Sequence, residues 1–273
     1  MVNILMKETE KNKTYKYIID KINLEGTLHF SLIDPDPIRQ SPEKAAKMAK
    51  CCEDVGTDAI LVGGSTAFSQ SFVDQTIELI KKEVETVPII IFPGAITNVS
   101  QKADAILFMS LLNSSDPYFI IGEQALASYL IKTSSLESIS MAYLIIEPGG
   151  TAGWVGNARL LPRKKPKLTA AYALAAEMFG FKLIYLEAGS GGDSIPPEII
   201  KLCSKVLSVP LIAGGGVQTK EDAKKFVNAG ADIIVMGSFI ENTVVRDKGA
   251  ALKEIIDVIK ETSKSKIKNY EMK

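Results

Sequence analysis

The sequence predicts a TIM (β/α)8 barrel, an α/β fold in which eight parallel strands close into a cylinder inside a ring of helices. Three observations carry that reading. Eight short runs rich in β-branched residues alternate with longer amphipathic stretches. Nearly all of these runs are apolar throughout, the pattern of strands covered on both faces, as in parallel sheets flanked by helices. The chain has 273 residues, and a barrel of this kind needs about 250. An open, doubly wound sheet is the runner-up.

The elements follow in order. An opening helix is expected over residues 8–23, with Tyr15, Ile18, Ile19 and Ile22 on one face. The first strand is 27–33. A helix follows at 42–55, with Ser41 as N-cap, Pro42 in its first turn and Gly56 just past its end. The second strand is 58–62 and its helix 71–85. Strands at 87–92 and 105–112 are separated by residues 93–104 only. That is marginal for a crossover helix, so a short irregular segment is expected in place of the third helix. A helix at 118–132, a strand at 140–146 and a long loop to residue 167 come next. Helix 168–179, strand 182–186, helix 197–207 and strand 209–213 follow. Helix 220–229, capped by Thr219, strand 232–236 and helix 250–262 complete the pattern. No linker or shift in composition divides the chain. Residues 1–273 therefore read as a single barrel domain, with an extra N-terminal helix (8–23), the barrel (27–262) and a frayed Lys-rich tail (263–273).

Composition narrows the function. Hydrophobic residues make up 46% and charged residues 23%, which excludes a disordered or fibrous chain. Thirty-two basic residues balance 32 acidic ones, leaving no global field for a nucleic-acid backbone. Cys51, Cys52 and Cys203 form no C-x-x-C pair and no disulfide framework, which fits a reducing cytoplasm and disfavours structural zinc. His29 is the only histidine. It excludes a multi-histidine metal site, argues against a Ser-His-Asp triad, and is expected to pack in or near the barrel. No apolar run approaches the ~20 residues of a spanning helix, and the first residues lack a signal-peptide pattern. A cytoplasmic protein is expected.

The chemistry gathers at the carboxyl ends of the strands, where barrel active sites lie. Glycine-bearing turns follow the last three strands: Glu187-Ala188-Gly189-Ser190-Gly191-Gly192, Gly214-Gly215-Gly216 and Gly237-Ser238. Without a Cβ, glycine lets backbone N–H groups approach phosphate oxygens, and a following helix N-terminus adds a favourable partial charge. A phosphate ligand is the expectation; plain tight turns are the alternative. The first strand ends Asp34-Pro35-Asp36-Pro37, and the second ends Gly63-Gly64-Ser65-Thr66. A carboxylate beside a hydroxyl from the neighbouring strand suits Mg²⁺. The alternative is that Asp34 and Asp36 form local turns with the prolines.

Together these stretches resemble a known family. The stretches 29–36, 57–65, 108–117 and 185–191, the last reading Tyr-Leu-Glu-Ala-Gly-Ser-Gly, with the Gly-Gly and Gly-Ser turns, are similar to geranylgeranylglyceryl phosphate synthases. These are the archaeal prenyltransferases that make the first ether bond of membrane lipids. The likeness runs from about residue 15 to 260. The Gly-rich loop around Trp154 resembles the larger, often hexameric branch, and the short 93–104 connection agrees with the family's missing helix. The resemblance implies Asp34 and Ser65 as Mg²⁺ positions. It implies Tyr185, Leu186, Glu187, Ala188, Gly189, Ser190, Gly191, Gly215, Gly216, Gly237 and Ser238 as the sites for sn-glycerol 1-phosphate. Pro37 departs from the pattern, since relatives often carry lysine there. Arg163, Lys164 and Lys165 are the candidates to hold diphosphate instead, a solvated basic loop being the alternative.

The implied reaction is attack of the glycerol 3-hydroxyl on C1 of geranylgeranyl diphosphate. Glu187 would hydrogen-bond the hydroxyls and accept the proton, and Tyr185 would orient the acceptor and face the cationic C1. The prenyl tail needs an apolar trench, for which Phe92, Met109, Phe119 and Tyr143 are the chosen lining, with Leu111, Tyr118 and Tyr129 as further candidates. Phe119 is the expected stop for chain length. Trp154 is a candidate interface anchor for a homo-oligomer, a hexamer or else a dimer, and membrane contact is expected to be peripheral at most. Three rivals remain: a heptaprenyl-transferring relative, a phosphate-binding barrel isomerase or lyase, and a non-catalytic barrel that binds a phosphorylated metabolite.

Overall fold

In the computed structural model, which describes residues 12–64, 69–189, 192–264, 268 and 270–272, the strands close into one barrel in sequence order. They are β1 (Leu28–Ile33), β2 (Ala59–Val62), β3 (Ile89–Ile91), β4 (Ala105–Leu111), β5 (Glu137–Ile145), β6 (Leu183–Glu187), β7 (Leu211–Gly214) and β8 (Ile233–Met236). Every neighbouring pair is parallel, and β1 pairs with β8 to close the ring. The register sets Ile145, Glu187 and Gly214 level with one another at the carboxyl end.

The helices are α1 (Lys13–Glu25), α2 (Pro42–Asp54), α3 (Gln70–Glu83), α4 (Glu123–Thr133), α5 (Gly150–Val155), α6 (Pro166–Met178), α7 (Pro197–Val206), α8 (Lys220–Ala229), α9 (Ser238–Asp247) and α10 (Ala250–Ser263). Ser41 and Thr219 cap α2 and α8 as expected, accepting from Lys44 N and Asp222 N. A 3-10 turn at Ile96–Asn98 stands where the third barrel helix is missing. The Asn98 side chain holds it by accepting from the amides of Gly94 and Ala95, at 3.1 and 2.9 Å.

Alternate strand residues separate two cores. Residues such as Ile33, Ile60, Ile106 and Ile184 face the helix shell. Leu28, Phe30, Leu107, Met141, Leu183 and Ile233 fill the barrel with Tyr15, Ile18, Ile19 and Ile22 of α1. The opening helix therefore stoppers the amino-terminal end of the cylinder. Glu137, at the start of β5, docks it by accepting from the α1 amides of Thr14 and Tyr15 at 2.7 and 2.9 Å.

Four expectations need correction. The helix expected at 118–132 opens as a π-helical turn, Tyr118–Gly122, before α4. The long loop after β5 contains α5, hidden in the sequence by its glycines, poor helix formers. Gly237-Ser238 opens α9, whose Thr243, Val244 and Val245 read against a helix. The tail is tied down at two of its described residues, because a buried carboxylate recruits it. Lys268 pairs with Asp232 at 2.9 Å, and the Tyr270 hydroxyl donates to the same carboxylate at 2.7 Å. The expected first helical residues, 8–11, lie outside the described residues.

Candidate active site

A cavity of about 500 Å³ opens at the carboxyl ends of the strands. Asp34, Glu187, Ser238 and Glu241 give it a polar side, and Phe92, Met109, Leu111, Phe119 and Tyr143 an apolar one. All four residues chosen for the trench therefore meet the carboxylates in one space, with Leu111 beside them. Tyr118 and Tyr129 do not line it; they are 42% and 83% exposed on the outer surface.

Glu187 ends β6, buried in the barrel mouth. Gly189 N donates to its Oε1 at 2.7 Å, and the hydroxyls of Tyr185 and Tyr143 donate to the same carboxylate. Burial raises its pKa in spite of these donors. Gly215 is required here twice over. Its φ is +87°, and a Cβ would stand 2.4 Å from Glu187 Oε1.

Tyr185 does not line the cavity. It is 1% exposed, inside the barrel. Its ring stacks on Phe92 at 5.3 Å and meets the edge of Tyr143 at 5.1 Å. Gly214 makes room for it, since a Cβ there would fall 2.1 Å from the Tyr185 hydroxyl. Tyr185 therefore supports Glu187 through its hydroxyl, beneath the rings of Phe92 and Tyr143. Leu186 and Ala188 point outward into the helix shell and offer only backbone. Even the Ala188 carbonyl is taken, by Gly149 N at 3.1 Å.

The remaining turns divide. Gly189 and Ser238 line the cavity, whereas Gly215, Gly216 and Gly237 do not. Gly189 has φ +95° and packs on the backbone of Gly150, and Gly216 packs on the backbone of Ser194. Gly237 is the N-cap of α9, and Ser238 is that helix's first residue, so the first-turn amides of α9 face the site. Ser65, Ser190 and Gly191, expected at the site, lie outside the described residues.

Asp34 follows β1. Its Oδ1 is sealed from solvent and has no hydrogen-bond partner. Burial, then the charges of Glu241 and Glu187, push its pKa up to about 7. Gly63 leaves room for it; a Cβ there would lie 2.9 Å from Oδ1. Glu241 accepts from the Asp34 amide, and burial raises its pKa as well. Glu241 carries no signal in the sequence, because the β-branched run Thr243-Val244-Val245 hides α9. Asp36 behaves differently. Its Oδ1 accepts from Ile38 N and Arg39 N at 2.7 and 2.9 Å, the local turn that the sequence left open as an alternative.

The basic residues also part ways. Arg163 spans two loops, donating to the carbonyls of Glu147, Asp193 and Ser194 at 3.1, 3.3 and 2.7 Å. It is a brace and not a cavity residue. Lys164 and Lys165 are exposed and do not line the cavity. Arg39 does line it. His29 sits on the shell side of β1, with Nδ1 3.0 Å from Thr57 Oγ1, and burial lowers its pKa to about 4. It packs as expected, away from the cavity. Trp154 on α5 is 85% exposed. Among the described residues, no group of three or more His, Cys, Asp or Glu side chains is arranged to hold a metal ion, and no helix is long and apolar enough to cross a membrane.

Comparison with known proteins agrees with this geometry. The PcrB family matches residues 20–262. Geranylgeranylglyceryl phosphate synthase of Thermococcus gammatolerans is 53% identical over 233 residues, 85% of this chain and 91% of the relative. The protein of the same name from Thermococcus sibiricus is 49% identical over 253 residues, 92% and 98% of the two chains. The crystal structure of (S)-3-O-geranylgeranylglyceryl phosphate synthase from Thermoplasma acidophilum, in complex with substrate sn-glycerol-1-phosphate, superposes with a TM-score of 0.85 at 42% identity. The match covers 89% of this chain and 97% of that one.

Proposed function

The chain belongs to the PcrB family, and on that premise we propose that it is a geranylgeranylglyceryl phosphate synthase. It joins the 3-hydroxyl of sn-glycerol 1-phosphate to C1 of geranylgeranyl diphosphate and releases diphosphate, making the first ether bond of an archaeal membrane lipid. One observation carries this reading. The cavity that holds Glu187 and Asp34 continues into a wall of Phe92, Met109, Leu111 and Phe119, so one space suits both a polar acceptor and an apolar donor.

The acceptor phosphate sits at the Gly189 turn and the α9 N-terminus, where Ser238 and unpaired amides receive it. Of the remaining expected positions, Ser190 and Gly191 follow Gly189 in sequence, Gly215 and Gly216 follow β7, and Gly237 caps α9; Leu186 and Ala188 supply only their backbone. Glu187 accepts from the glycerol hydroxyls. As the new O–C1 bond forms and the bond from C1 to diphosphate breaks, the hydroxyl proton passes to Glu187. Tyr143 and Tyr185 hold that carboxylate in place. Positioning both substrates in one cavity supplies much of the acceleration.

The residues present suit Mg²⁺. The unpartnered Oδ1 of Asp34 lies among carboxylates, an all-oxygen set of the kind that prefers this ion together with substrate phosphates. Asp34 would hold it, with Ser65 as the second position. Bound there, the ion would neutralise the leaving diphosphate. Phe119 closes the trench as the chain-length stop. We place the enzyme in the cytoplasm, in peripheral contact with membrane at most. Trp154 serves as interface anchor of a homo-oligomer, a hexamer in preference to a dimer.

A product assay tests the reading, using sn-glycerol 1-phosphate, Mg²⁺ and prenyl diphosphates of graded length. The expected result is one ether product with the C20 donor preferred, lost on chelation. Equal use of the 3-phosphate enantiomer, or no ether product, would overturn it.

A further inference from the structure

We propose that Arg39 is the cationic contact for the diphosphate group of the prenyl donor. The proposal rests on the prenyl-transfer reading of the cavity and names a residue for a task that reading leaves open. Asp34, Asp36, Glu123, Glu187 and Glu241 line the cavity, and Arg39 is the single cation among the described lining residues. Among the described lining side chains, an entering anion meets five carboxylates and this one cation.

Arg39 is also where the leaving group must be. Its charge acts on Glu241, and Glu241 accepts from the amide of Asp34. The guanidinium thus stands on the Asp34 side of the cavity. Its backbone is fixed, while among the described residues its guanidinium makes no hydrogen bond. Arg39 N donates to Asp36 Oδ1 at 2.9 Å, and its carbonyl accepts from Lys44 Nζ at 3.1 Å. The loop is closed by the paired amides and carbonyls of Asp36 and Gln40, at 3.0 and 2.8 Å. Arg163, by contrast, spends its guanidinium on three carbonyls. A guanidinium offers parallel N–H donors that match two phosphate oxygens, which an ammonium cannot do.

The test is calorimetric titration of the unmodified chain, Arg39→Gln and Arg39→Lys with inorganic diphosphate plus Mg²⁺, and separately with sn-glycerol 1-phosphate. Because the substitutions leave the loop's backbone bonds in place, the melting temperature should not change. Arg39→Gln should bind inorganic diphosphate about tenfold more weakly, the order of one charge-assisted contact. It should raise KM for geranylgeranyl diphosphate similarly, with sn-glycerol 1-phosphate affinity held within about twofold. Arg39→Lys should recover part of the loss. Unchanged diphosphate affinity in Arg39→Gln would overturn the proposal and reduce Arg39 to a counter-charge for Glu241 and Asp36. An equal loss for both ligands would overturn it too. Transfer by the unmodified chain reads the proposed function, and the affinity ratio reads Arg39, so the two fail separately.

Discussion

The two ends of the barrel treat the same chemical group in opposite ways. At the amino-terminal end, Asp58 accepts from His29 N at 2.7 Å and pairs with Lys21 and Lys260 at 2.7 and 2.8 Å. Asp232 there is matched by Lys268, Tyr270 and Leu211 N, and Glu137 by two helix amides. At the carboxyl end, Asp34, Glu187 and Glu241 face one another with no lysine among the lining residues, and Asp34 Oδ1 has no partner at all. Buried charge is tolerated where it is paired and costs stability where it is not. The first end holds the cylinder together. The second satisfies Glu187 and Glu241 with neutral donors and leaves Asp34 Oδ1 unmatched, ready for a cationic or hydrogen-bonding ligand.

Exchanging one aspartate at each end should break the comparison most sharply. Asp34→Asn should lower Mg²⁺-dependent transfer by about a thousandfold, since the lost electrostatic assistance is several kcal/mol, without lowering the melting temperature. Asp58→Asn should do the reverse. It strands two lysines and should cost stability near the low end of about 3–5 kcal/mol, because those lysines keep some solvent, while turnover per folded molecule stays the same. Melting curves and product assays on both variants decide the matter. Equal destabilisation by the two would abolish the distinction between the ends.

Two phenylalanines sharpen it further. Phe30 is fully buried inside the barrel, and Phe30→Ala should cost about 3–5 kcal/mol. Phe119, half-buried at the cavity, should cost less than half of that when truncated. Its signature is instead a several-fold shift of kcat/KM toward donors longer than C20, of the size that a few methylenes are worth in an apolar pocket. An unchanged donor preference with a full core penalty would place Phe119 in the core.

The smallest effect is a pH dependence of the metal-free, ligand-free chain. The folded pKa of Asp34, at about 7, lies above the ordinary value near 4. Folding therefore favours its protonated form. That contribution is full below about pH 4 and is lost as the pH rises through about 7. Asp34→Asn should remove this slope. Its melting temperature relative to the unmodified chain should rise by about 2–5 °C between pH 5 and pH 8. A difference that does not vary with pH would show that Asp34 is not strained by its neighbours.

The barrel was legible because its strands must be apolar on both faces, a pattern that survives in eight separate runs. The missing third helix was legible from the shortness of the 93–104 connection. The site was legible where a residue's position on a strand fixes it, as for Asp34 and Glu187, and where aromatic residues had to fill a mouth, as for Phe92 and Tyr143. It was not legible where tertiary contacts overrule local preference. α9 carries β-branched residues in its middle, so Glu241 was invisible. Arg163 looked free in a basic run, yet three carbonyls distant in sequence claim it. Tyr185 lies in the right motif, but that the rings of Phe92 and Tyr143 cover it depends on the closed barrel. Lys268 reads in the sequence as part of a frayed tail, because its pairing with Asp232 is a contact between distant segments.

The stopper formed by α1 has a consequence for proton traffic. Beneath Tyr185 the cylinder holds Phe30, Leu107, Met141, Leu183 and Ile233 down to the Tyr15 and Ile18 of the helix. Apolar side chains carry no protons, and among the described residues this column offers no chain of hydroxyls or carboxylates along which one could hop. Any proton that Glu187 takes up must leave on the same side as the substrates, past Asp34 and Glu241. The aromatic floor is an insulator, and each catalytic cycle is reset through the doorway by which the next acceptor arrives.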